Sequence, residues 1–215
     1  MAEARPGWNE AAQRFFIGLA HDNSRTYFEA NRKVYETEVR APMQALVDAL
    51  AAEFGPAKIF RINRDVRFSA DKSPYKTNIA AVIGEGAGGG YVELTARGLG
   101  AGAGHHHMDS AELAHYRSAV ASASGERLET IVRSLEAAGY SVGNEALKTM
   151  PRGYDKEHPR AGLLRFRGMV MWRDFGLQPW LGTPEVVDRV AQVFRDSKPL
   201  QEWLGAHVPR SQYER

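Results

Sequence analysis

Between residues 58 and 78 the chain carries Lys58, Arg61, Arg64, Arg67, Lys72 and Lys76 against Asp65 and Asp71, a local charge of +4. The whole chain sums to +2, so everything outside this stretch sums to −2. A guanidinium offers a planar fork that fits carboxylate or phosphate, and an ammonium adds a compact point charge, so converging cations of both kinds suit an anionic ligand. On this reading Arg64, Arg67, Lys72 and Lys76 hold the anion, Asp65 and Asp71 orient those cations, and Tyr75 supplies a hydroxyl. The plain structural alternative is an ion-pair lattice in which the two aspartates neutralise the arginines.

A second polar gathering, Lys148, Arg152, Tyr154 and His158 with Arg165 shortly after, lies in the stretch LKTMPRGYDKEHP and just beyond it. Irregular backbone bearing several chemical types is the usual makeup of a binding loop. Tyr154 and His158 join Tyr75 as candidates for proton transfer or hydrogen bonding. The alternative is a surface loop whose tyrosine packs and whose charges are solvated. If this loop folds over the first stretch, the two form a single pocket, and that juxtaposition is an expectation beyond what the sequence shows.

Other patterns carry less chemistry. Residues 98–104, GLGAGAG, lack the Gly-Lys-Ser/Thr and the immediately following helix of a phosphate loop, and they fail the dinucleotide fingerprint as well. Flexible or closely packed backbone is the better reading. His105 and His107 would share a strand face, which Asp109 could extend, but Asp109 already begins a capping box; no metal and no cofactor is expected. No Ser/His/Asp or cysteine nucleophile assembles, and whether the protein is an enzyme stays open.

Composition bounds the class. A chain of 215 residues with 43% hydrophobic and 25% charged residues is ordinary for a globular protein long enough to bury one core. The longest clean apolar run, Ile79 to Ile83, is far short of a membrane span, and MAEARPGWNEAAQRFF has no signal-peptide core. The expectation is a soluble, cytoplasmic, single-domain protein over residues 1–215. A net +2 is too small for a molecule built to hold nucleic acid, so that partner is not expected, nor is a membrane.

The elements that must position these residues follow from periodicity. Phe15, Phe16 and Leu19 recur at helical spacing, and Asn23 or Ser24 caps a second helix bearing Tyr27, Asn31, Val34, Tyr35 and Glu38 on one face. Pro42 predicts a kink or restart, after which Met43, Leu46, Val47, Leu50 and Phe54 form an apolar stripe until Gly55-Pro56. From Phe60 the period becomes two, predicting a strand with Phe60, Ile62, Val66 and Phe68 on one face and Arg64 interrupting it. A charge in that position must find a carboxylate, carbonyls or a ligand anion in a cavity, and the cavity is the expectation favoured here. Strands are predicted at Asn78 to Ile83, Tyr91 to Thr95 and Met169 to Trp172, with a loose glycine-rich loop between the first two. Helices are predicted after the capping box of Asp109 and Glu112, after a cap at Ser124 and up to Gly139, after Thr183-Pro184, and at Pro199. Helices flanking a mainly antiparallel sheet give an α+β class.

The segment FRINRDVRFSADKSPYKTNIAA resembles the signature of the domain-of-unknown-function family 2461, a group of mainly bacterial proteins. FFIGLAHDNSRTYFEANRKVYE, the GAG before a capped helix ending HYRSAV, LKTMPRGYDKEHP and KPLQEWL follow in the expected order, so the resemblance runs from about Phe15 to Trp203. His105-His106-His107 departs from the aromatic or apolar residues expected there. The resemblance implies the fold and brings no activity, substrate or cofactor. The reading for function is therefore a protein binding a small anion in a basic, aromatic-edged pocket. The alternatives are a nucleic-acid module using the 58–78 segment and a partner-binding protein whose basic segment only supports its own fold.

Overall fold

A computed structural model of the chain describes residues 6–67, 70–84 and 89–209. Helix α1 spans Glu10–His21, capped by the Asn9 side chain, and α2 spans Arg25–Val34, capped by Ser24. Of the two cap candidates Ser24 takes the role, accepting from the Tyr27 amide at 3.1 Å, which releases Asn23 for another task. A π-helical turn, Tyr35–Arg40, leads into α3, Ala41–Phe54. Pro42 explains that turn. A proline ring in a regular helix crowds the carbonyl four residues back, and widening the preceding turn relieves the crowding. The amide of Ala41 accordingly donates to the Glu36 carbonyl, five residues back.

Strands β1 (Ala57–Ile59), β2 (Asn78–Ile83), β3 (Gly90–Thr95) and β4 (Gly98–His105) follow. Next come α4 (Ser110–Ala121), α5 (Ser124–Ala137) and β5 (Ser141–Ala146), then a single helical turn α6 (Ala161–Leu164) and β6 (Phe166–Gly176). A short 3-10 turn, Pro179–Gly182, precedes α7 (Glu185–Asp196) and α8 (Lys198–His207). The sheet order is β1-β2-β3-β4-β6-β5, and β1 with β2, β2 with β3, and β5 with β6 pair antiparallel. The protein is of the α+β class.

The chain resolves into two compact units. One holds the described residues before 85 with 89–101 and 174–192; the other holds 102–173 and the described residues from 193. In the first, Phe15, Phe16, Leu19, Met43, Leu46 and Leu50 of the helices bury with Ile79, Ile83, Val92 and Leu94 of the strands. Alternation makes this work, because every second residue of β3 faces the core. In the second, Tyr116, Val120, Leu128, Met169, Leu200 and Trp203 form the buried set.

Several expectations need correction. Over the described residues 60–67 the strand expected from Phe60 to Phe68 does not form: β1 ends at Ile59, and the residues after it run irregularly with one isolated bridge, Asn63 to Tyr75. Phe68 lies outside the described residues, as do residues 85–88 of the glycine-rich loop. Ser124 is the first residue of α5 rather than its cap, and its amide donates to the Ser122 hydroxyl. Strand β5 was not anticipated, and β6 extends well beyond Met169 to Trp172. The GLGAGAG run is a buried strand whose backbone lies against β6. A Cβ on Gly102 would fall 2.2 Å from the Met171 carbonyl oxygen, so close backbone packing is what those glycines serve.

Candidate functional site

Where the strand was expected, the chain forms a hairpin-like ribbon. The Arg64 amide donates to the Pro74 carbonyl and the Lys76 amide to the Ile62 carbonyl, each at 2.8 Å. Asn23 fastens the ribbon from the α1–α2 link: its Nδ2 donates to the Tyr75 carbonyl at 3.1 Å and its Oδ1 accepts from the Tyr75 amide at 3.0 Å. The Tyr75 ring is buried and stacks on Phe28 at 4.4 Å between centroids. Together these contacts fix the backbone from which Arg64 and Lys76 project.

A cleft of about 580 Å³ and another of about 530 Å³ lie beside this ribbon. The smaller is lined by Arg64, Lys76 and Arg97, by Thr77, Asn78 and Thr95, and by Phe16, Ala20 and Ala96. No carboxylate contributes to that lining. Arg64 and Lys76 come from the ribbon, and β2 begins with Asn78, paired in register with Thr95 of β3. Arg97 sits in the tight turn between β3 and β4, where its amide donates to the Thr95 hydroxyl. Helix α1 supplies the apolar wall.

Arg64 is half-buried and incompletely satisfied. One terminal nitrogen donates to the Tyr75 carbonyl at 3.2 Å and lies 2.9 Å from an Asp71 oxygen, while Nε is buried without a hydrogen-bond partner among the described residues. Asp71 thus offsets one charge from outside the lining. Its carboxyl is held below the ordinary range by hydrogen bonds from Ser73 and by Arg64. The Lys76 ammonium sits 5.5 Å from the Phe60 ring centroid and makes no ion pair among the described residues. Partial burial, with Arg61 and Arg64 nearby, pulls its pKa down.

The remaining residues expected in the first stretch are employed differently. Arg67 grips Asp65 through two hydrogen bonds, at 3.0 and 2.7 Å, on an exposed surface, and that contact keeps the Asp65 carboxyl low. The Lys72 ammonium donates to the Val66 carbonyl at 2.8 Å. Tyr75 lines the larger cleft rather than the smaller one. Arg97 escaped the sequence reading because a lone arginine in a tight turn carries no spacing signal.

The second stretch lies in the other unit. Lys148 and Arg152 are exposed, and Tyr154 is half-buried. His158 accepts the Arg160 amide at its Nδ1, 3.0 Å away, closing a local turn. Arg160, absent from the expected set, donates to the Val120 carbonyl at 2.8 Å and the Ser122 carbonyl at 3.0 Å, covering the open carbonyl end of α4. Arg165 is half-buried with its Nε lacking a partner among the described residues, and its carbonyl accepts the Leu147 amide. His105 is buried with its Nε2 3.5 Å from Glu112, whose carboxylate also closes the capping box with Asp109. Among the described residues no three His, Cys, Asp or Glu side chains gather as a metal site. Nor is any described helix long and apolar enough to cross a membrane.

An α+β chain with a bridged, arginine-rich ribbon is thus the class that fold and sequence define together. The chain belongs to the family described as Conserved hypothetical protein (DUF2461), whose family model matches residues 11–203. No curated protein and no solved structure matches it.

Proposed function

We propose that the protein binds a small phosphate-like or carboxylate anion in the cleft lined by Arg64, Lys76 and Arg97. The observation that carries this reading is the excess positive charge of the lining, three cations and no carboxylate, of which Asp71 offsets one from outside it. Cations held together repel one another, and an arriving anion relieves that repulsion. Thr77, Asn78 and Thr95 add neutral polar groups, and a volume near 530 Å³ falls within the range of small-molecule sites. The buried Arg64 Nε offers a donor still to be used.

The test is thermal unfolding with and without phosphate at low ionic strength. The native protein should unfold at a higher temperature in phosphate than in chloride of equal ionic strength, because a ligand that binds the folded state alone stabilises it. Arg64→Met should lose that increment yet unfold near the native temperature without phosphate. The Tyr75 carbonyl would still accept from Asn23 and so would not be orphaned. An Arg64→Met variant unfolding many degrees lower in chloride would make Arg64 a structural residue and sink the proposal.

A further inference from the structure

The larger cleft runs between a helix face and an open sheet edge. On one side lie Arg25, Glu29 and Arg32 of α2 with Glu36 and Arg40 of the π-helical turn, and on the other lies the chain from Ile59 to Asn63. Buried stacking of Phe28 on Tyr75 fixes the helix beside the ribbon, so these rings belong to the core and set the spacing of the two walls.

Strand β1 is the terminal strand of the sheet. The Gly84 amide donates to the Pro56 carbonyl at 2.8 Å and the Phe60 amide to the Ala80 carbonyl at 2.9 Å. Residues of an antiparallel pair alternate between hydrogen-bonded and non-hydrogen-bonded positions, and these bonds put Pro56 and Phe60 in the first kind. Ala57 and Ile59, opposite Ile83 and Ala81, fall in the second, so their amides and carbonyls face away from β2. Asn63 repeats the pattern, its pairing with Tyr75 bracketed by the bonds of Arg64 to Pro74 and Lys76 to Ile62. Across that bridge Asn23 takes up the outward groups of Tyr75, whereas those of Asn63 have no partner among the described residues. Ala57 and Asn63 are exposed and Ile59 is half-buried. A row of unused backbone donors and acceptors is a template for another strand.

Charge selects the occupant. Four arginines and two glutamates line the cleft, a net +2. Arg32 pairs with Glu29 and Arg40 with Glu36, but the exposed guanidinium groups of Arg25 and Arg61 make no hydrogen bond and no ion pair among the described residues. A second copy pairing β1 to β1 about a two-fold axis would set like charges against each other, which disfavours self-pairing. We propose that an extended acidic segment of a partner protein adds to β1 as a further strand, its backbone bonded to the outward groups of Ala57 and Ile59 and its carboxylates on Arg25 and Arg61. Strand addition draws affinity from main-chain hydrogen bonds and specificity from side chains, and the guanidinium fork matches a carboxylate. This surface differs from the smaller cleft in requiring a peptide backbone as well as charge.

Calorimetric titration of a capped heptapeptide of alternating glutamate and valine tests it. Two further versions carry N-methyl groups, one on every glutamate amide and the other on every valine amide. Alternate amides of a strand point to opposite sides, so one methylated set faces β1 and the other faces solvent. One version should therefore lose at least about tenfold in affinity while the other stays within about threefold of the parent. Equal affinities of the two versions, or no binding of the parent peptide, would overturn the proposal. Arg61→Met should weaken the parent peptide roughly tenfold, the loss of one charge-assisted contact, and an unchanged affinity would contradict the assignment of Arg61. Tighter binding of oligothymidylate than of the peptide would overturn the proposal in favour of nucleic acid, and a dimer that the peptide dissociates would assign the edge to a second copy instead. Arg64→Met should leave peptide affinity within about twofold. A loss there would place the carboxylates in the smaller cleft, sinking this proposal while leaving the small-anion reading intact, and that reading fails separately if inorganic phosphate does not stabilise the native protein.

Discussion

The ribbon from Arg61 to Lys76 and the loop from Lys148 to Arg165 look alike in sequence, each mixing arginine, lysine, aspartate and tyrosine on irregular backbone. Their side chains are employed differently. In the loop, His158 accepts a backbone amide and Arg160 donates to the carbonyls at the end of α4, so side-chain bonding capacity serves the loop's own shape. In the ribbon, Lys72 and Arg64 also donate to backbone carbonyls and Arg67 pairs with Asp65, but backbone bridging and Asn23 hold the chain as well, and among the described residues Arg64 Nε has no hydrogen-bond partner and the Lys76 ammonium no ion pair. A polar stretch is a candidate binding site when something other than its charges holds it in place.

Four outcomes sharpen or break this contrast. The largest is expected in the loop: Arg160→Met should destabilise the protein by about 2 kcal/mol, since it removes charge-assisted bonds to the end of α4. On a chain of this length that is a fall of roughly 4–8 °C in Tm. Phosphate affinity should stay within about twofold; a parallel loss of phosphate binding would erase the distinction.

Arg64→Met should do the reverse, weakening phosphate about tenfold in a calorimetric titration while shifting Tm by no more than about 2 °C. A smaller effect follows from Lys76. Its pKa in the folded protein is lowered, mainly by burial, so its protonated form is less favoured there than in the unfolded chain. Protonation of Lys76 therefore opposes folding below the folded pKa, and that penalty disappears as pH rises past the ordinary lysine value. Anion binding has the opposite dependence, requiring the ammonium, so affinity should fall with rising pH from below the ordinary lysine range. Lys76→Arg should flatten that fall, and identical pH profiles for the two proteins would show Lys76 to be a bystander. Least of all should come from Asp65→Asn, whose exposed pairing with Arg67 is expected to leave Tm and phosphate affinity unchanged.

The helices were readable because their signals are local. Ser24, the Asp109 to Glu112 box, Pro42 and Gly139 mark boundaries by side-chain chemistry or backbone conformation within a few residues. Strand β5 carries no such mark, since SVGNEA neither alternates cleanly nor runs apolar, and it is held by pairing with the distant β6. The alternation from Phe60 misled for a related reason: Ile62 and Asn63 meet Lys76 and Tyr75, giving a short bridge rather than a ladder. Arg64 and Lys76 could be named as site candidates from charge density alone. Arg97 and the roles of Asn23 and Arg160 could not, because each is defined by a partner at least 38 residues away or by a shared cleft.

The central claim is that the ribbon presents a ready anion site and the loop does not. The most direct measurement is a phosphate titration of the isotopically labelled protein followed by backbone amide NMR at low ionic strength, where surface charge effects are strongest. Saturable shifts should gather at Arg64, Lys76, Thr77, Asn78, Thr95 and Arg97, with the amides of residues 148–165 showing no saturable change. Saturable shifts centred on Lys148, Arg152 and His158, with the ribbon silent, would contradict the account.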